Sequence, residues 1–167
     1  KSKKHFLSHV NIFLQSCSKA LALFLFIASR EGSSLLIVFD SKTGNVRRFV
    51  HKLGFLENKV IELKAGLKVY EPYILLTYTT GMGQVPQTTI DFLKLNPNNL
   101  HAVAASGNKN WGQNFALSAN KISTMYGVPI LHKFEMSGMP EDVEIVRERV
   151  QNINDETYRI KQRSDTA

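Results

Sequence analysis

Short apolar runs that alternate with amphipathic segments constrain this chain more than any other feature of its sequence. The runs at residues 35–40, 73–79 and 101–106 are predominantly apolar, as in strands that are buried on both faces of a parallel sheet. The segment at 45–53 instead repeats apolar residues at helical spacing, with basic residues on its other face. This alternation predicts an α/β fold with helices on both faces of a mostly or wholly parallel sheet.

Five strands and four helices are predicted in all. The strands are 35–40, 59–63, 73–79, 101–106 and 129–134, and the helices are 45–53, 88–95, 115–127 and one that Pro140 opens. Gly127 is expected to end the third helix. The candidate core residues of the helices are Val46, Phe49, Val50, Leu53, Phe115, Leu117, Ile122, Met125, Val143, Val146 and Val150.

The folded domain is expected to cover residues 35–154. Residues 155–167 are polar and predict a partly frayed C-terminal tail. Residues 1–34 predict an N-terminal extension outside the fold, with a basic start and an apolar run, "LALFLFIA", of eight residues. This run is too short for a membrane-spanning helix, which needs about 20 apolar residues. Three interpretations of the extension stay open: a dispensable segment, an added packed helix, or a targeting signal.

The charge distribution argues against nucleic acid as a partner. The net charge is +7, but five basic residues against one acidic residue lie within 1–34. The remaining chain shows no basic stripe with interleaved aromatic residues. The single cysteine, Cys17, excludes an internal disulfide framework and suits a reducing cytoplasm. We therefore expect a cytoplasmic protein whose partner is neither nucleic acid nor a membrane.

The sequence predicts neither a catalytic residue nor a metal site. His101 and His132 fall at strand positions, where a structural role is the simpler interpretation. Asp40 is a lone carboxylate at its strand end and lacks the acidic neighbour of a receiver domain. No cluster of histidine, cysteine or carboxylate residues has metal-ligand spacing.

Three loops follow strands whose carboxyl ends meet at one edge of the predicted sheet, where α/β proteins bind ligands. The first, "SKTGN", offers hydroxyls and a close backbone approach before a helix start, which suits a phosphate; a plain helix cap is the alternative. The second, "TTGMGQ", and the third, "SGNKNWGQN", offer backbone edges and the only tryptophan to a flat ring. A flexible surface turn is the alternative for the second loop, and a loop folded back over its own tryptophan is the alternative for the third. Together the loops predict a site for a phosphorylated planar heterocycle.

Four stretches carry a resemblance to a known family. "FDSKTGNVRRFV", "TYTTGMGQVP", "AASGNKNWGQNFA" and "VPILHKFEMSG" resemble, in order and spacing, segments of the NrdI family, the flavodoxin-like activators of class Ib ribonucleotide reductase. The match runs from about Leu35 to Val150. The first stretch also resembles the flavodoxin phosphate loop S/T-x-T-G-x-T, with Val46 in place of its last threonine.

The resemblance implies a flavodoxin-like three-layer α/β/α sandwich whose five-stranded parallel sheet has the order 2-1-3-4-5. It also implies non-covalently bound FMN, held by residues that match the family's motifs. The implied role is to supply an oxidant, superoxide or peroxide from reduced flavin and O₂, to the dimanganese radical subunit of class Ib ribonucleotide reductase. A flavin-reducing electron donor is the other implied partner. The implied FMN-binding residues are Ser41, Lys42, Thr43, Gly44, Asn45, Val46, Thr79, Thr80, Gly81, Met82, Gly83, Ser106, Gly107, Asn108, Trp111 and Gly112.

Two other functions stay open beside this one. A general flavodoxin that carries electrons between reductases would share the fold and the cofactor, although Trp111 and the short second loop disfavour it. A cofactor-free binding module would leave the many donors at residues 41–45 unexplained. We expect a redox activator of another enzyme rather than a stand-alone catalyst.

Overall fold

The computed structural model describes residues 35–165, so the predicted N-terminal extension and Cys17 lie outside the described residues. Within this range the chain forms five β-strands and four α-helices, with short 3₁₀ helices at Glu57–Lys59 and Lys109–Asn114. In chain order they are β1 (Leu36–Phe39), α1 (Asn45–Leu53), β2 (Val60–Glu62), β3 (Tyr73–Tyr78), α2 (Gln87–Leu95), β4 (Leu100–Gly107), α3 (Leu117–Tyr126), β5 (Ile130–Glu135) and α4 (Pro140–Asp165).

All five strands pair in parallel in the order β2-β1-β3-β4-β5, which confirms the predicted fold class and strand order. Strand β1 is an interior strand, and its Ile37 pairs with Val60 of β2 on one side and Ile74 of β3 on the other. The chain leaves β1 toward one edge to form β2 and returns past it to form β3. In such sheets a crevice opens outside the carboxyl ends of the strands at this reversal.

Both faces of the sheet are covered, because residues along each strand alternate between two hydrophobic clusters. Ile37 and Phe39 of β1 belong to the cluster that α1 and α4 close, whereas Leu36 and Val38 belong to the cluster that α2 and α3 close. The predicted core residues of α1 and α4 all lie in the first cluster: Val46, Phe49, Val50, Leu53, Val143, Val146 and Val150. The result is the predicted three-layer sandwich.

Residues 63–72 take the place of a helix in the connection from β2 to β3. Leu67 and Val69 of this segment pack against the cluster under α2 and α3. The buried side chain of Asn96 fixes the segment, because its Oδ1 accepts the Val69 N–H at 2.8 Å and its Nδ2 donates to the Leu67 carbonyl at 2.9 Å. These bonds satisfy backbone groups that a helix would have paired internally.

Helix α3 differs from its predicted packing at two residues. Ile122 is buried as expected, and Gly127 ends the helix in the left-handed conformation. Leu117, however, is only half-buried and belongs to neither cluster. Met125 is 72% exposed. Tyr126, four residues after Ile122, packs against the core in its place, so the buried stripe runs one residue further round the helix than predicted.

The C-terminal tail predicted for residues 155–167 is instead helical as far as Asp165. Side-chain bonds four residues apart, such as that from Gln151 to Asp155 at 2.8 Å, stabilise this polar part of α4. Within residues 35–165 no helix, including the long α4, is apolar enough to cross a membrane.

The Asn96 contacts predict a large effect on stability. Replacing Asn96 with Leu keeps the side-chain volume but leaves buried backbone groups unpaired, so the free energy of unfolding should fall by about 2 kcal/mol or more. Asn99 is the matched control, since it donates to the Tyr70 carbonyl at 2.9 Å in an exposed position. Asn99→Leu should cost less than about 1 kcal/mol. Urea unfolding measures both, and equal losses would show that Asn96 does not hold the connection.

Candidate functional site

Four loops at the carboxyl edge of the sheet surround one cavity of about 380 Å³. The loops follow β1, β3, β4 and β5, and the size lies within the range of roughly 300–1,000 Å³ that is usual for small-molecule sites. The lining residues are Ser41, Lys42, Thr43, Asn45, Val46, Tyr78, Thr79, Thr80, Ser106, Gly107, Asn108, Trp111 and Met136. All three loops that the sequence singled out therefore contribute to one cavity.

Five predicted site residues do not line this cavity, and two lining residues were not predicted. The five are Gly44, Gly81, Met82, Gly83 and Gly112. The additions are Tyr78, the last residue of β3, and Met136, which follows β5. The glycine-containing turn "MSGM" after the last strand was the signal in the sequence for Met136. Because β5 is the parallel neighbour of β4, the loops after these two strands lie at the same edge of the sheet.

The loop after β1 has unpaired N–H groups at the start of α1. Gly44 lies in the left-handed region with φ +79° and occupies the N-cap position without a side-chain cap. The Ser41 hydroxyl accepts the Arg47 N–H at 3.1 Å, so the helix-cap interpretation holds for that residue. Within residues 35–165 the N–H groups of 43–46 have no acceptor, and the Thr43 side chain is exposed. Such a helix start binds anions well.

Arg48 adds positive charge to this loop, although the sequence places it on the outer face of α1. Its Nη2 donates to the Asn45 Oδ1 at 2.5 Å. A Cβ built on Gly44 would lie 3.2 Å from the Arg48 Nη1, which shows that the guanidinium lies against the loop backbone. The spacing of Arg48, three residues after Asn45, was the signal in the sequence for this contact, because residues i and i+3 share a helix face.

The loop after β3 is a tight hairpin. The backbones of Thr80 and Gln84 exchange hydrogen bonds of 2.9 and 2.7 Å, and Gly81, Met82 and Gly83 form the turn. Gly81 has φ +49°, and Met82 is 78% exposed at the tip. This geometry explains why the turn residues stay outside the cavity while Thr80 lines it.

Thr79 anchors that hairpin to α3. Its buried hydroxyl lies 2.8 Å from the Ser118 Oγ, and it also accepts the Ser118 N–H at 3.3 Å. Behind the turn, a Cβ on Gly83 would approach the Leu117 Cδ2 to 2.6 Å. Gly83 is therefore required for close packing against α3 rather than for the cavity wall.

The loop after β4 approaches α3 equally closely. A Cβ on Gly107 would lie 2.4 Å from the Ala116 backbone nitrogen, so only glycine fits at the end of β4. The Asn108 side chain accepts the Asn110 N–H at 2.9 Å and shapes the following turn. Trp111 in this turn lines the cavity and keeps 42% of its surface exposed. An indole in this position can stack on a flat ligand.

The loop after β5 closes the cavity with a residue in an unusual backbone conformation. Met136 has φ +51°, which is uncommon for a residue other than glycine. The Gly107 carbonyl accepts its N–H at 3.0 Å, and the Ser106 hydroxyl donates to its carbonyl at 2.7 Å. Lys52 of α1 donates to the carbonyls of Ser137 and Gly138 at 3.0 and 2.9 Å. These bonds hold Met136 at the cavity rim.

An ion pair joins β5 to the start of α4. The His132 Nε2 lies 2.6 Å from the Asp142 Oδ1, and the Met139 N–H donates to the Asp142 Oδ2 at 2.8 Å. Burial alone would raise the pKa of Asp142, but these hydrogen bonds and the charges of His132 and Lys109 bring it below its ordinary value. Asp142 therefore stabilises the fold in its ionised form.

No group of three or more histidine, cysteine or carboxylate side chains within residues 35–165 is arranged to hold a metal ion. The donors around the cavity are instead N–H groups, hydroxyls and basic side chains. Such donors suit an anionic ligand rather than a cation.

A doubly wound parallel sheet in the order 2-1-3-4-5 is the arrangement of flavodoxin-like proteins, and here unpaired N–H groups lie at its switch point. The solved structure of a short-chain flavodoxin associated with a non-canonical PDU bacterial microcompartment has a similar fold. The TM-score is 0.52 and the identity 20%, over 68% of this chain and 92% of that one. At this identity the likeness supports the fold alone.

The family described as NrdI Flavodoxin like matches residues 37–148. Protein NrdI of Bacillus licheniformis is 54% identical over 117 residues, which cover 70% of this chain and 88% of that protein. Protein NrdI of Macrococcus caseolyticus is 43% identical over 121 residues, or 72% and 92% of the two chains. The chain belongs to the NrdI family, and membership implies a flavin cofactor and a role associated with ribonucleotide reductase.

The contact between Gly107 and Ala116 predicts that the third loop does not tolerate a methyl group. Gly107→Ala should destabilise the protein by about 2 kcal/mol or more, because the backbone of Ala116 must move. Gly127→Ala is the control, since nothing lies within 4 Å of its Cβ position. Its left-handed backbone, with φ +66° and ψ +27°, limits the expected cost to about 1 kcal/mol. Similar losses in urea unfolding would contradict the close approach.

The Asp142 ion pair predicts a pH-dependent contribution to stability. A carboxyl whose folded pKa is lowered stabilises the protein fully above its unfolded value of 3.8, and the stabilisation is lost as the pH falls through the folded pKa. The melting temperature of Asp142→Asn should therefore lie below that of the wild type at pH 5, and the two melting temperatures should become equal in strong acid. Glu141→Gln, in the same first turn of α4, should follow the wild type. A constant gap for Asp142→Asn would contradict the ion pair.

Proposed function

We propose that this cavity binds FMN and that the loaded protein supplies an oxidant to the dimanganese radical subunit of class Ib ribonucleotide reductase. The observation that carries the proposal is the start of α1, where the unpaired N–H groups of 43–46 adjoin the left-handed Gly44 and the Arg48 guanidinium. One terminal phosphate satisfies these donors. The exposed Thr43 hydroxyl adds a further donor, and Lys42 lines the same part of the cavity.

The isoalloxazine ring is assigned to the part of the cavity between the second and third loops. Thr79 and Thr80 line one side, and Gly107, Asn108 and Trp111 line another. When bound, FMN supplies the electrons that reduce O₂ to superoxide or peroxide. The chain's own contribution is to hold the ring through loops that are fixed to α3 and β5, and to leave Trp111 accessible to a partner.

The role in radical assembly rests on family membership and on the form of the cavity. The curated relatives carry the name Protein NrdI, and they match most of this chain. A cavity lined by the exposed Trp111 allows a small oxidant to leave toward a docked protein. This role places the protein in the cytoplasm and requires a reductase that delivers electrons to the flavin.

Thr43 provides the test of the phosphate site. Thr43→Val should weaken FMN binding roughly tenfold to a hundredfold, because a hydrogen bond to a charged group is worth about 1.5–3 kcal/mol. Riboflavin lacks the phosphate and should bind the variant and the wild type equally. Thr43→Ser keeps the hydroxyl and should restore FMN affinity. Fluorescence titration measures all three, and equal losses for both ligands would place Thr43 outside the phosphate site.

The oxidant role separates this protein from a general electron carrier. The reduced, FMN-loaded protein, mixed with O₂ and the Mn²⁺-loaded radical subunit, should produce a tyrosyl radical that electron paramagnetic resonance detects. Free reduced FMN at the same concentration is the control and should produce little radical. Equal radical yields from free FMN, or none from the protein, would contradict the activator role and favour the carrier.

A further inference from the structure

Asp40 is a buried carboxylate that the predicted FMN site does not use. It ends the apolar run of β1, and only 8% of its surface is exposed. None of the ion pairs within residues 35–165 includes it. A buried charge without a cation is costly unless hydrogen bonds satisfy it, so its surroundings require an explanation.

Two threonine hydroxyls donate to this carboxylate, and a third donates to one of these two. Thr88 and Thr89, in the first turn of α2, both donate to the Asp40 Oδ2, with Thr89 at 2.8 Å. Thr89 is also 2.8 Å from the Thr77 hydroxyl. Because the Thr89 proton already points to Asp40, Thr77 must donate to Thr89. The buried chain Thr77–Thr89–Asp40 thus directs its protons toward the carboxylate.

Asp40 lies next to the wall of the cavity, because it directly precedes Ser41, which lines the cavity. Tyr78 lines the cavity and lies one residue after Thr77 on β3. Burial raises the pKa of the Tyr78 hydroxyl and the negative charge of Asp40 raises it further, while a hydrogen bond with Thr88 lowers it. The carboxylate therefore already disfavours a second negative charge at this wall.

We propose that Asp40 makes the cavity discriminate against added negative charge and so lowers its affinity for reduced FMN relative to oxidised FMN. This inference rests on the proposed FMN site. A flavin ring that gains two electrons and one proton carries one negative charge more than the oxidised ring. The phosphate is the same in both forms, so the ratio of their affinities isolates the effect on the ring. Asp40 is thus a positioning residue, which acts on the ring through its charge and does not touch the ligand.

Asp40→Asn is the direct test, because it keeps the acceptor oxygen for the threonines and removes the charge. Dissociation constants for FMN are measured anaerobically, without and with dithionite. The ratio of the reduced to the oxidised constant should fall about tenfold, the effect of one unit charge within about 12 Å at an effective dielectric constant of about 20. Asp91→Asn is the matched control, an exposed carboxylate on the same helix that should leave the ratio unchanged.

Thr88 offers a second variant that leaves Asp40 in place. Thr88 is exposed, so Thr88→Lys brings a cation beside the carboxylate and should lower the ratio in the same direction as Asp40→Asn. Thr88→Gln, which has no charge, should not. An unchanged ratio in folded Asp40→Asn or Thr88→Lys protein would overturn the inference while FMN binding stands. Failure of the wild type to bind FMN would instead overturn the proposed function.

Discussion

The parallel pairing of β3 with β1 and β4 is the constraint on which the site depends. The register sets Phe39 beside Leu76 and Tyr78 beside Ser106, so the three strands end within about two residues of one another at one edge of the sheet. Their backbones are paired and their side chains are buried on both faces, so a shift of register would cost core packing. The loops that follow are therefore held at a common edge of the sheet.

Specific side-chain bonds then fix each loop to a neighbouring element. Thr79 joins the loop after β3 to α3, and Ser106 joins the end of β4 to the loop after β5. Lys52 joins the loop after β5 to α1. Asp40 joins the start of the first loop to α2. A cavity whose walls are held in this way binds a rigid ligand without a large ordering cost. The same bonds explain why hydroxyl residues are frequent near the ends of these strands.

Sequence reasoning recovered the fold and the three principal loops, because both depend on local patterns. Apolar runs and helical spacing locate the elements, and the reversal of strand order follows from the family resemblance. It missed Met136 and Arg48, which reach the site through tertiary contacts. It also missed the hydroxyl chain of Asp40, in which Thr77 and Thr89 are 12 residues apart and Asp40 is 49 residues from Thr89. It also overstated Gly83, whose small size serves packing against Leu117. Contacts of this kind depend on how helices, strands and loops pack against one another, which the sequence of a single segment does not determine.

The central claim is that the chain is an FMN protein, and the visible absorption spectrum of the purified full-length protein tests it most directly. The account predicts a yellow protein with an oxidised-flavin spectrum, which releases FMN rather than FAD or riboflavin on denaturation. A colourless protein that takes up no added FMN would contradict the account, since the unpaired donors at the start of α1 would then serve no flavin phosphate.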